Sequence, residues 1–163
     1  MKNLKWMSVV ALMGVCISAN AEWRTFVEDD VISDAKTAML VGAVDGMHRL
    51  VFDCDSSSLT MSLLEDGKWR EGMRSVGGKL VVKVDKAEKN TFSVTLHPRN
   101  EKTISMRTEE VEKIKKLLGQ VRESKSKVLL GFVIESADIK WTGEADTYGS
   151  TKAVDQFTKA CGI

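Results

Sequence analysis

One proline, one tyrosine and two histidines in 163 residues exclude several kinds of protein at once. With a single proline and 12 glycines the chain is neither collagenous nor proline-rich. Charge of one sign is also missing: 24 basic residues stand against 23 acidic ones, a formal balance of +1. No overall electrostatic pull toward nucleic acid follows, and nucleic acid is not expected as a partner. No apolar run approaches the ~20 residues that a membrane-spanning helix needs, so no membrane span is expected. What is present is ordinary globular material, 43% apolar and 29% charged, in a length that suits one domain.

The first 21 residues read as an address rather than as structure. Lys2 and Lys5 precede an uncharged stretch, Trp6 to Ser18, and Ala19-Asn20-Ala21 puts small residues where a signal peptidase reads them. This layout predicts a secretory signal peptide over 1–21, a mature chain starting at Glu22, and a periplasmic destination. The remaining residues, 22–163, are expected to form a single domain with no linker, repeat or low-complexity segment.

Removing the leader takes Cys16 with it and leaves Cys54 and Cys161. Two cysteines in an exported chain predict one disulfide. Their positions agree with that. Cys54 shares a strand face with Leu50 and Phe52, while Cys161 follows Phe157 by one helical turn.

Period-two alternation dominates the mature chain. Leu50, Phe52 and Cys54 alternate with Val51, Asp53 and Asp55; Leu59, Met61 and Leu63 with Thr60, Ser62 and Leu64; Leu80, Val82 and Val84 with Val81, Lys83 and Asp85. Phe92, Val94 and Leu96 alternate with polar Thr91, Ser93 and Thr95. One buried face and one wet face predict an antiparallel sheet. Further strands are expected over Trp23–Val27, Thr37–Val44, Val128–Glu135 and Ile139–Thr142. Asp45-Gly46 and Asp66-Gly67 suggest tight hairpins with positive φ, and His97 to Asn100 suggests a polar connection.

At Thr108 the period changes. Val111, Ile114, Leu117, Leu118 and Val121 recur at helical spacing, with Thr108 as the expected N-cap. A second helix is expected from Ser150, with Val154, Phe157 and Cys161 on one face and Gly162 at its end. The predicted fold class is α+β: an antiparallel meander or sandwich-like sheet, an amphipathic helix, and a C-terminal helix stapled to the sheet by the disulfide.

Candidate chemistry is thin. His48 and His97 sit beside turns and read as surface residues, and no Gly-x-Ser-x-Gly is present. Asp53 and Asp55 form an Asp-x-Asp pair, but a calcium loop also needs regularly spaced ligands around a glycine and a closing glutamate. Gly77-Gly78 precedes a strand rather than a helix, which is the wrong setting for a phosphate loop. Lys113, Lys115, Lys116, Arg122, Lys125 and Lys127 give the first helix a basic side, interleaved with glutamates as a solvated face would be. No catalytic residue, metal ligand or cofactor is assigned. The expected mode of action is binding to another envelope protein, with Trp23, Arg24 and Phe26 as the candidate anchors.

The mature chain resembles small exported bacterial proteins of the type VI secretion-associated TagO/VasI family and, more loosely, the invasion-associated-locus B-like proteins. The residues that carry the resemblance are Trp23, the acidic turn at Asp29-Asp30, the strand Leu50-Val51-Phe52-Asp53-Cys54-Asp55, the helix Val111 to Val121, and the terminal Ala153 to Gly162. The resemblance implies an envelope accessory protein. A second function consistent with a small stapled domain is a periplasmic inhibitor or immunity protein, with Glu28-Asp29-Asp30 entering a basic cleft of a cell-wall or toxin enzyme.

Overall fold

The computed structural model describes residues 22–29, 36–70 and 76–163; the predicted leader lies outside them. The alternating segments form β1 (Arg24–Asp29), β2 (Lys36–Ala43), β3 (His48–Cys54), β4 (Leu59–Asp66), β5 (Gly77–Val84), β6 (Asn90–Asn100), β7 (Thr103–Thr108), β8 (Val128–Ile134) and β9 (Ile139–Ala145). Helix α1 (Val111–Glu123) lies between β7 and β8, and α2 (Ser150–Cys161) follows β9. All the strands join one antiparallel sheet in the order β1-β2-β3-β4-β7-β6-β5-β8-β9. The sheet curls into a half-barrel, and the Cys54–Cys161 disulfide ties α2 to it. The predicted α+β class therefore holds.

Register explains the core. Leu40, Phe52 and Met61 stand opposite one another across β2, β3 and β4, and Leu50, Leu63, Met106 and Leu96 across β3, β4, β7 and β6. On the other half Leu80 meets Phe92 and Phe132, and Val82 meets Leu130. Onto these rows α1 lays Ile114, Leu117, Leu118 and Val121, and α2 lays Ala153, Val154 and Phe157. Phe157 meets Phe52 edge-on at 6.4 Å between ring centroids. Each large apolar side chain buried this way is worth about 1.5–3 kcal/mol.

Two tryptophans close the open seam between the first and last strands. Trp23 folds over Gly42, where a Cβ would stand 2.6 Å from the indole, and its Nε1 donates to the Asp146 carbonyl at 2.8 Å. The Trp23 amide donates to Tyr148 O. From the other side, Trp141 folds over Gly143 and stacks against His48, ring centroids 4.1 Å apart. A side chain larger than hydrogen at Gly42 or Gly143 would displace an indole, so each glycine is placed by a close approach rather than by a turn.

Several connections differ from the sequence expectation. No strand is expected over β7 from the sequence, although Ile104 and Met106 alternate with Ser105 and Arg107; the segment is short, and the structure buries it on both faces. It takes Thr108 into the ladder opposite Met61, so Thr108 ends a strand and Glu110 becomes the N-cap of α1. β6 runs through Pro98 to Asn100 where a polar connection was expected. Pro98 is tolerated because the pairing with β5 stops at Thr95, so no ladder on that side calls for its missing N–H. Asp66-Gly67 does not turn a hairpin: β4 lies between β3 and β7, and the next strand begins at Gly77. Gly77-Gly78 opens β5 itself. At Asp45-Gly46 the bend is built by the Asp45 carboxylate, which accepts from the Met47 and His48 amides at 2.7 Å, with no positive φ at Gly46.

The α1–β8 connection is held in the same manner. Asp85 has a φ of 47°, and its carboxylate accepts from the amides of Lys125 (2.8 Å), Ser126 (3.0 Å) and Lys127 (2.9 Å). These backbone donors, Lys127 foremost, hold its pKa below the ordinary 3.8. A folded pKa below the unfolded one means the contribution is complete above the ordinary aspartate range and is lost as pH falls through the depressed value. Asp85→Asn keeps a residue that tolerates this backbone but removes the charge. It is expected to cost about 1 kcal/mol at neutral pH, the typical net worth of a solvated hydrogen bond. Parallel denaturant titrations should show the difference from the wild type shrinking as the pH is taken below 3.8.

Candidate functional site

β1 pairs with β2 on one side and is an edge of the sheet on the other. Because side chains alternate, its three sequence candidates separate. Trp23, 2% exposed, is in the core and presents no surface to a partner. Arg24 and Phe26 stand on the opposite face, with Phe26 50% exposed and the neighbouring Val27 45% exposed. Phe26 stands opposite Met39 of β2 in the register.

Three depressions border this strand. One of about 300 Å³ is lined by Phe26, Met39 and the acids Glu28, Asp53 and Asp55, together with Cys54 of the staple. A second, of about 180 Å³, lies between Arg24, Phe26 and the Lys152–Gln156 side of α2. A third, of about 390 Å³, lies among Val27, Lys36 and Lys159.

The acids of the first depression are in different states of compensation. Asp53 is forked by Arg99, whose Nη1 and Nη2 donate at 2.7 and 2.8 Å. The bond to Asp53 raises the guanidinium pKa further. Arg99 belongs to β6, and β7 and β4 stand between it and β3 in the sheet, so this fork closes over the outer face of those strands. Asp55 turns the β3–β4 hairpin. The Ser58 hydroxyl, with the Ser57 amide and hydroxyl, holds its carboxyl down at about 2. Asp53 and Asp55 are thus occupied by an arginine and by a turn rather than converging on one point. Asp55 stays ionised at any neutral pH, and beside Glu28 it gives the depression its negative character.

The remaining candidates fall elsewhere. His48, expected at the surface, is buried: it is 7% exposed, its Nδ1 lies 2.9 Å from both Asp45 carboxylate oxygens, and its ring lies on Trp141. Stacking in the seam outweighs its position next to a turn. Among the described residues no hydroxyl or thiol is hydrogen-bonded to it, so the Asp45–His48 pair orients a ring without a nucleophile in reach. His97 is exposed and bonded to the Thr95 hydroxyl. The basic side of α1 is paired in large part: Lys113 with Glu110, Lys115 with Glu112, and Arg122 with Asp155 of α2. No helix among the described residues is long and apolar enough to cross a membrane.

No family model, no curated protein and no solved structure matches the chain. The geometry of β1 therefore has to carry the functional argument. Sequence reading located Arg24 and Phe26. It did not group Glu28, Met39 and Asp55 with them, because the β1–β2–β3 register that gathers these residues is not a local property.

Proposed function

We propose that this chain is an exported, non-enzymatic binding protein of the bacterial envelope that takes an extended segment of another envelope protein along β1. The observation that carries this reading is an edge strand that pairs with β2 alone among the described residues, with Phe26 and Val27 exposed at its centre. Natural sheets normally blunt or cover such edges. Strand addition would supply main-chain hydrogen bonds, and Phe26 would supply the apolar anchor. Glu28 and Asp55 favour a partner segment that carries lysine or arginine. The disulfide supports export, because such bonds persist in oxidising compartments. The resemblance to TagO/VasI proteins supports association with a secretion system. The acid-lined depression also favours a second reading, an inhibitor whose acidic edge enters a basic enzyme cleft.

The test compares Phe26→Lys with Thr91→Lys, a control on the exposed side of β6, in affinity capture from periplasmic and envelope extracts. One partner, retained by the wild type and the control and depleted at least about tenfold by Phe26→Lys, is the expected result. A partner retained equally by all three proteins overturns the assignment to β1. If the captured partner is a hydrolase that loses activity in the complex, the inhibitor reading replaces the accessory one.

A further inference from the structure

The interior of the half-barrel has two ends with different fates. At one end the chain leaves β7 and β9 into α1 and α2, and Ile114, Leu117, Leu118, Val154 and Phe157 fill the space. At the other, where β3, β5 and β9 begin and β4, β6 and β8 end, the chain between β8 and β9 makes only a short 3-10 turn, Glu135–Ala137. There lies a pocket of about 330 Å³ whose walls include Leu96, Ile104, Met106, Phe132, Ile134 and Ile139. It shares no lining residue with the depressions around β1. Its volume falls at the lower end of the roughly 300–1,000 Å³ range of small-molecule sites.

Among the described residues, one ionisable group stands among these apolar walls, Glu65 of β4. The ladder places Glu65 between His48 on β3 and Ile104 on β7, on the inner face at the rim. Asp45 already engages His48 at 2.9 Å, so the histidine does not offset Glu65 for an incoming anion. Phe132 stacks on Trp141 at 5.7 Å, which fixes the aromatic wall behind the pocket. An apolar cleft with a few placed polar groups is the usual form of a ligand site, and here the placed group is a carboxylate.

We infer that this pocket binds an apolar small molecule carrying a single cationic amine, with the hydrocarbon between Met106, Phe132 and Ile134 and the ammonium at Glu65. A carboxylate-headed ligand would bring like charges together in a half-enclosed site. An alcohol would gain the apolar contact but no charge-assisted bond. The pocket requires no contact with the β1 surface, so it stands or falls separately from the proposed partner.

The experiment titrates the disulfide-bonded protein with decylamine, decanol and decanoate below their aggregation concentrations, following the methyl NMR signals of Ile104, Ile134, Ile139 and Met106. Saturable shifts at these methyls are expected in the order decylamine, decanol, decanoate. Glu65→Gln should weaken decylamine about tenfold, the loss of one charge-assisted hydrogen bond, and leave decanol unchanged. Ile139→Trp fills the mouth from a side chain already 43% exposed and should abolish binding of all three. Absence of saturable shifts in the wild type overturns the site. Equal binding of decylamine and decanol, or preference for decanoate, overturns the choice of an amine. If Glu65→Gln melts appreciably lower than the wild type, the wild-type ranking and Ile139→Trp decide the question without it.

Discussion

Replacing Cys161 with serine is expected to lower the unfolding free energy by about 2–5 kcal/mol, one of the two largest single-residue effects in this molecule. Cys54 ends β3 and Cys161 ends α2, with Cα atoms 6.0 Å apart and a sequence separation of 107. Few links could close so much chain, and the constraint acts chiefly on the unfolded ensemble. For a domain of this size the melting temperature should fall by roughly 6–15 °C. Cys54→Ser should match it, and the double substitution should cost no more than either single one, because both remove the same link. Differential scanning calorimetry under non-reducing conditions measures all three. Additive losses in the double mutant would mean that the two side chains act through separate packing rather than through their bond. The expected loss also places the bond in function: α2 packs on β1 and β2, so loosening its end would loosen the proposed docking strand.

Much of this architecture can be read from residue order, and the parts that cannot share one cause. Alternation located the strands that have one wet face, such as β6 with Phe92, Val94 and Leu96 inside and Thr91, Ser93 and Thr95 outside. Helical spacing located α1 and α2, and Gly162 indeed closes α2 with a φ of 66°. In β7 the alternation is short, Ile104 and Met106 against Ser105 and Arg107, and lying between a polar stretch and the start of α1 the segment passes for a connection. Sheet order is a further step removed. Nothing local to Asp66-Gly67 says that β4 will pair with β7 rather than with the strand that follows it. The seam and the open-end pocket depend on that order: the seam joins residues from opposite ends of the chain, and the pocket joins strands distant in sequence. His48 shows the consequence for a single residue. Its neighbours in sequence describe a turn, and its neighbour in space, Trp141, makes it part of the interior.

Trp23 shows it more sharply, and supplies the other large effect. Trp23→Ala is expected to destabilise the protein by about 3–5 kcal/mol, the usual cost of emptying a buried tryptophan site. Three losses coincide there. The indole leaves a void over Gly42, which has no side chain to collapse into it. The Asp146 carbonyl loses its 2.8 Å donor. With the indole gone, little besides the Trp23 amide on Tyr148 O remains of the bridge that this residue makes from β1 to the chain after β9. Trp23→Phe separates these contributions: it keeps most of the packing and should lose about 1–3 kcal/mol, the penalty for a carbonyl left without its donor plus a smaller void. Phe26→Lys, three residues along on the opposite face, should leave the unfolding midpoint nearly unchanged while removing the partner. Urea denaturation of the three variants therefore divides these two aromatic residues by role. Equal stability losses at Trp23→Ala and Phe26→Lys would mean that β1 is a structural strand on both faces, and the docking function would then have to be sought on another edge.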